Sequence, residues 1–286
     1  MLPAMNQLST VLSAGLGLGA AAAWGAGDFN GGIATRKANA FGVVVVAHGT
    51  GLLLMMALAL ITHDPLPGHD ALLWGITAGL CGGIGLAAFY RALAIGKMGI
   101  NAPIAAVLTA LLPVIVGFRE QGLPTHFQLA GFGLALIGIW LLAMPQGEQG
   151  RPRGLGLAVV AGLGFSGFLV CSGFAGKHSL FWPLVAARFA SVLLMTIIVL
   201  ASKVEWHPDR RSLLYMVAAG ILDSTGNALF VAATQHGRLD VAAVLSSFYP
   251  ASTVLLARLV LKERISLLQG TGIFAALVSV PLIVVR

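Results

Sequence analysis

The chain has 286 residues, 58% of them hydrophobic and 9% charged, with a formal net charge of +7 and a mean hydropathy of +0.92. A soluble domain carries about 25% charged residues, so this composition belongs to an integral membrane protein. Its apolar runs are far longer than a barrel strand, which makes the spans helical, and its scattered basic residues, with no stacking aromatics between them, exclude a nucleic-acid footprint.

Ten spans are expected in chain order, at about 11–33, 40–62, 71–95, 101–118, 127–145, 154–175, 180–202, 213–236, 240–261 and 267–285. The N-terminal Met1–Thr10 lacks a basic stretch, so no cleaved leader is expected. Polar stretches are too short for a soluble catalytic domain. Cys81 and Cys171 fall in the third and sixth spans with no ligand spacing, so neither a disulfide framework nor a metal or cofactor site is expected.

The spans form two copies. Gly15, Gly17, Gly25 and Phe29 recur as Gly154, Gly156, Gly164 and Phe168, and His48 and Met55 as Arg188 and Met195. Gly79, Gly85, Phe89 and Gly96 recur as Gly220, Gly226, Phe230 and Gly237. Ala102–Leu108 echoes Val241–Ser247, and both copies end in a basic–Glu pair, Arg119-Glu120 and Lys262-Glu263. Such self-similarity marks a repeat. The halves are read as 1–145 and 154–286. Each holds an odd number of spans and the linker is short, so the copies lie in opposite orientations. The expected fold is therefore all-α, ten transmembrane helices as two five-helix inverted repeats, the architecture of many secondary transporters.

Trp24-Gly25 then Asp28-Phe29, Arg188, Tyr249-Pro250, Lys262-Glu263-Arg264, Leu267-Leu268-Gln269 then Gly272, and Gln128 then Gly131 together resemble the EamA-type transporters of the drug/metabolite transporter superfamily. The resemblance covers nearly the whole chain. It implies alternating-access transport of a small organic metabolite (amino acid-like, amine or drug-like) across the cytoplasmic membrane, by export or exchange, with protons as a coupling partner. It also implies cytoplasmic termini. The positive-inside rule points the other way: ten basic loop residues (Arg36, Lys37, Lys97, Arg151, Arg153, Lys203, Arg210, Arg211, Lys262, Arg264) face Arg119, Lys177, Arg238 and Arg286 on the terminal side. The first half also departs from the pattern: Pro250 precedes Glu263 by thirteen residues and Pro113 precedes Glu120 by seven, with Thr109 near the position expected of a proline.

The site candidates follow from polar residues inside spans, which are expensive there and face a bundle interior or a wet cavity. Trp24 and Asp28, one turn apart, set an aromatic wall beside a carboxylate suited to an amine; the competing reading ties Asp28 to Arg36 or Lys37. Asp223 and Asn227 share a face of the eighth span, and Asp223, like Asp28, is a proton-coupling candidate; its competing role is a structural bond to a neighbouring helix. His48 and Arg188 occupy equivalent places, as substrate ligands or as packing and pairing groups. Tyr90, Ser246, Tyr249 and Pro250 complete the set, because Pro250 frees a carbonyl near Ser246. The cavity is expected between spans 1, 3, 4, 6, 8 and 9. Glu120 and Glu263 are read as ion-paired helix ends, and Arg91 as interfacial.

Two rival readings remain. Ala47-His48-Gly49-Thr50-Gly51 and Gly164-Phe165-Ser166-Gly167 look like rhomboid protease base and nucleophile elements, in reversed order. A passive channel is the other, without a charged ring to support it. Beyond substrate and bilayer no partner is implied; two halves already complete a site, so a monomer suffices, with a homodimer as the alternative.

Overall fold

A computed structural model describes residues 2–35, 38–95, 98–143, 154–202, 208–260, 262 and 265–284, and every regular element in them is helical. The first half holds α1 (Leu2–Thr35), α2 (Ala40–Ile61), α3 (His69–Ile95), α4 (Met98–Gln121) and α5 (His126–Ala143). The second holds α6 (Leu155–Ala175), α7 (Phe181–Ala201), α8 (Arg210–His236), α9 (Leu239–Ser246), α10 (Tyr249–Val260) and α11 (Leu267–Val284). With α9 and α10 taken as one span, Leu239–Val260, nine described helices are long and apolar enough to cross a bilayer. The remaining one, α5, has a shorter apolar stretch, His126–Leu142. Large apolar side chains such as Leu53 and Phe189 are exposed on the outside of the bundle, as a lipid-facing surface requires. Arg36, Lys37, Lys97, Arg151, Arg153, Lys203, Glu263, Arg264 and Arg286 lie outside the described residues.

Local chemistry sets the helix starts. Asn39 and Asp209 accept from the amides of Phe41 and Ser212, capping α2 and α8. Thr125 with Gln128 and Ser266 with Gln269 form reciprocal side-chain–backbone bonds at the starts of α5 and α11. These are capping boxes, and they give the two repeat glutamines a structural role.

Packing obeys the repeat. Exchanging the halves maps α1 against α8 onto α6 against α3, α2 against α8 onto α7 against α3, and α4 against α6 onto α9–α10 against α1; all are observed contacts, and α2–α7 and α5–α11 close the symmetric set. Glycines make the crossings close. A Cβ on Gly79 would stand 2.1 Å from the Ala187 carbonyl oxygen, and one on Gly220 would stand 2.2 Å from that of Ala47. Small residues let backbones approach in this way where lipid supplies no hydrophobic drive between helices.

The ninth span is not the continuous helix that its apolar run suggests. It turns at Ser247 and Phe248, and Pro250 sits in the first turn of α10, where its missing N–H costs nothing. Counted from the shared Ala-Ala-Val-Leu of Ala105–Leu108 and Ala242–Leu245, Pro113 falls on Pro250, which corrects the register taken from the terminal Glu residues. Yet α4 runs through Pro113 unbroken. The difference lies across the interface. Pro113 releases the Thr109 carbonyl, and the Ser166 hydroxyl donates to it at 2.9 Å. The position matching Ser166 in the first half is Gly27, which has no hydroxyl to offer.

Two polar clusters tie the halves together on the face that carries the loops after α2, α4, α6 and α8. Asp64 reaches across to the start of α7, accepting from the amides of Leu180, Phe181 and Trp182 and from the Ser179 hydroxyl at 2.8–3.2 Å. Arg238 pairs with Asp240 at 2.7 Å and donates to the Gln121 and Gly122 carbonyls at the end of α4. Asp240 is 0% exposed, so this pair satisfies a carboxylate taken fully out of water.

Candidate functional site

The described helices line a partly open cavity of about 140 Å³ near mid-span. For scale, a 150 Å³ protein cavity holds benzene. Its walls come from eight spans, including 2 and 7, which the sequence reading omitted although it had singled out His48 and Arg188.

Of the expected residues, Trp24, Asp28, His48, Arg188, Asp223, Asn227 and Tyr249 come together on the wall. Ser246 does not: it is fully buried and its hydroxyl turns back to the Ala243 carbonyl at 3.1 Å. Pro250 lies beside the wall residue Tyr249 without lining the cavity itself, and the Tyr90 side chain lies outside what is described. Ser191, Thr109 and the aromatic rings of Phe89, Phe165 and Phe168 were missed. Ser191 was within reach of sequence reasoning, since it stands one turn from Arg188 and so shares its face.

The polar wall is a network between helices. Arg188 on α7 is 5% exposed and its Nη2 bonds the Asp223 carboxylate on α8. Asp223 keeps 35% of its side chain exposed. The Arg188 Nε and the Ser224 hydroxyl are buried without a hydrogen-bond partner, on either side of Gly51. His48 Nδ1 lies 2.7 Å from the Ser191 hydroxyl. The Trp24 indole N–H donates to the Asn227 side-chain oxygen at 2.9 Å and to the Asp223 carbonyl at 3.2 Å. Thus Asp223 pairs with Arg188, and Asn227 orients Trp24.

Asp28 is different. It lies deep in the bundle, seven residues before the end of α1, yet its surface is exposed because it faces the cavity. Its electrostatic neighbours are Asp223 and Tyr249.

The rhomboid reading fails on geometry. Ser166 is buried and its hydroxyl is spent on the Leu108 and Thr109 carbonyls, while His48 is engaged with Ser191; no serine–histidine contact joins the two elements. Cys81 and Cys171 are free thiols in contact between α3 and α6. Among the described residues no cluster of three metal-ligating side chains exists.

The family model described as the EamA-like transporter family matches twice, over residues 11–144 and 152–285. The chain belongs to the EamA-like transporter family. An uncharacterised protein of Methanocaldococcus jannaschii is 33% identical over 132 residues, which are 46% of this chain and 92% of that protein. That relative is therefore about half as long as this EamA-like chain. A solved crystal structure shares the fold, with a TM-score of 0.78 over 94% of this chain and 95% of its own at 18% identity. EamA-like membership makes this a multi-pass membrane protein of a transporter family, acting on small substrates.

Proposed function

We propose that the protein is a secondary active transporter of a small organic metabolite in the cytoplasmic membrane, working by alternating access around the mid-span cavity. The single observation that carries this is the partly open cavity between two inverted halves, with aromatic rings and ionisable side chains from both halves on its wall. The halves, 1–145 and 154–286, rock against each other. In the described state the Asp64 and Arg238–Asp240 clusters hold them together on the terminal face, so the cavity's route lies toward the opposite face, where α1 carries Asp28. Opening the terminal face breaks both clusters. The broken ninth span supplies a hinge beside Tyr249, in keeping with the discontinuous helices of transporter sites. Asp223 and Asp28 are the carboxylates for proton coupling: Asp223 exchanges Arg188 for a proton or substrate as the halves move. One chain contains the complete site.

The test is uptake of labelled amino acids, amines and nucleosides into proteoliposomes with and without a pH gradient, wild type beside Asp223→Asn. Saturable uptake driven by the gradient, and uncoupled from it by the substitution, supports the reading. Uptake by both proteins with the same pH response removes Asp223 from coupling.

A further inference from the structure

Among the described residues, the cavity wall holds two acidic side chains, Asp28 and Asp223, and one permanent cation, Arg188. Arg188 and Asp223 neutralise each other directly. That leaves Asp28 as the remaining carboxylate, and among the described residues no cation or hydrogen-bond donor reaches it. A carboxylate left so at this depth is costly unless it takes up a proton or a counter-charge arrives. The described residues supply no such charge, but they do supply the surroundings a cation prefers. Trp24 stands one turn from Asp28, Tyr249 is its electrostatic neighbour, and the rings of Phe89, Phe165 and Phe168 line the same space. Aromatic faces attract ammonium groups by their quadrupoles. The opposite ligand is disfavoured, because an anion must compete with Asp223 for Arg188, whose Nε is turned away among Gly51 and Ser224.

We infer that the substrate is a small organic cation, an amine in its ammonium form, whose charge is met by Asp28 and whose apolar part lies against the aromatic wall. Asp28 is then the specificity-determining residue, and Arg188, paired with Asp223 in the described state, has no part in holding a substrate carboxylate. This rests on the transporter reading and narrows its substrate.

The experiment measures binding to the purified full chain in detergent by calorimetry. The probes are methylammonium, tetramethylammonium and benzylammonium, beside benzoate and benzyl alcohol as anionic and neutral shapes. Wild type is expected to bind at least one ammonium probe and not benzoate. Asp28→Asn is expected to weaken that ammonium at least tenfold while leaving the weak binding of benzyl alcohol unchanged, and Asp28→Glu to restore it in part. Thermal unfolding of each variant establishes that it is folded. The inference is overturned if benzoate binds as well as benzylammonium, if Asp28→Asn binds the ammonium as wild type does, or if no ammonium binds. In the last case, saturable exchange of amino acids or nucleosides by the same preparation shows that the transporter reading survives without the cation; absence of exchange for every solute removes both.

Discussion

The Ser166 hydroxyl on α6 donates to the carbonyl of Thr109 on α4, the group that Pro113 leaves without its helical partner. A side chain from one half thereby repairs a helix of the other. We predict that Ser166→Ala costs about 1–3 kcal/mol, the usual penalty for an unsatisfied buried acceptor, and that the same substitution in a Pro113→Ala background costs little. A double-mutant cycle on thermal unfolding in detergent measures this coupling; additive losses contradict it. Ser166→Ala should also leave no proteolytic activity to lose, which serine-directed labelling checks.

The glycine crossings give a second prediction. Gly79→Ala and Gly220→Ala each place a Cβ against a backbone carbonyl that is not free to retreat. Each should cost about 1–3 kcal/mol through overpacking. Gly15→Ala and Gly133→Ala meet nothing within 4 Å and should be neutral or slightly stabilising. Apparent Tm values for the four variants separate the pairs.

Breaking the terminal-face clusters should shift the conformational balance as well as stability. Arg238→Ala leaves Asp240 buried without its partner, a loss of about 3–5 kcal/mol for a pair taken out of water. Asp64→Ala removes a cap from α7, worth about 1 kcal/mol. We predict that Asp64→Ala protein, the milder change, admits a water-soluble thiol reagent from the terminal face to a cysteine placed at Asn227, and that wild-type background admits it less. Equal labelling rates contradict a sealing role for Asp64.

The Arg188–Asp223 pair predicts an asymmetry between single and double substitutions. Arg188→Leu leaves Asp223 a carboxylate that still meets the cavity through its 35% exposed side chain, so it should cost about 1–2 kcal/mol, below the range for a fully buried pair. Asp223→Leu strands a guanidinium that is 5% exposed and should cost about 3–5 kcal/mol. The double variant should recover most of the larger loss. Chemical or thermal unfolding of the three proteins decides it.

Much of the architecture was legible in the sequence because lipid imposes long apolar runs and the repeat imposes shared glycines: Gly79 and Gly220 recur at a constant offset for the reason that both cross a carbonyl. The capping glutamines Gln128 and Gln269 were visible as motif residues, though only their bonds to Thr125 and Ser266 explain them. The break in the ninth span was not legible, because Pro113 and Pro250, once aligned on the shared Ala-Ala-Val-Leu, hold the same place and differ in whether a hydroxyl on another helix meets the freed carbonyl. For the same reason Ser166 read as a nucleophile element. In the cavity, polar residues inside spans were readable one helix at a time; which of them pair was not. Asp28 and Asp223 looked equivalent until α7 brought Arg188 to one of them.

The most direct test of the account is counterflow. Proteoliposomes loaded with an excess of one unlabelled solute are given a trace of the same solute labelled outside, across a panel of amines, amino acids and nucleosides. Alternating access around one cavity predicts saturable, transient accumulation of label above equilibrium for at least one solute, abolished when bulky side chains at Gly82 and Gly83 fill the cavity wall. Label that enters linearly with concentration, without overshoot and indifferent to the solute inside, contradicts it and describes a passive pore.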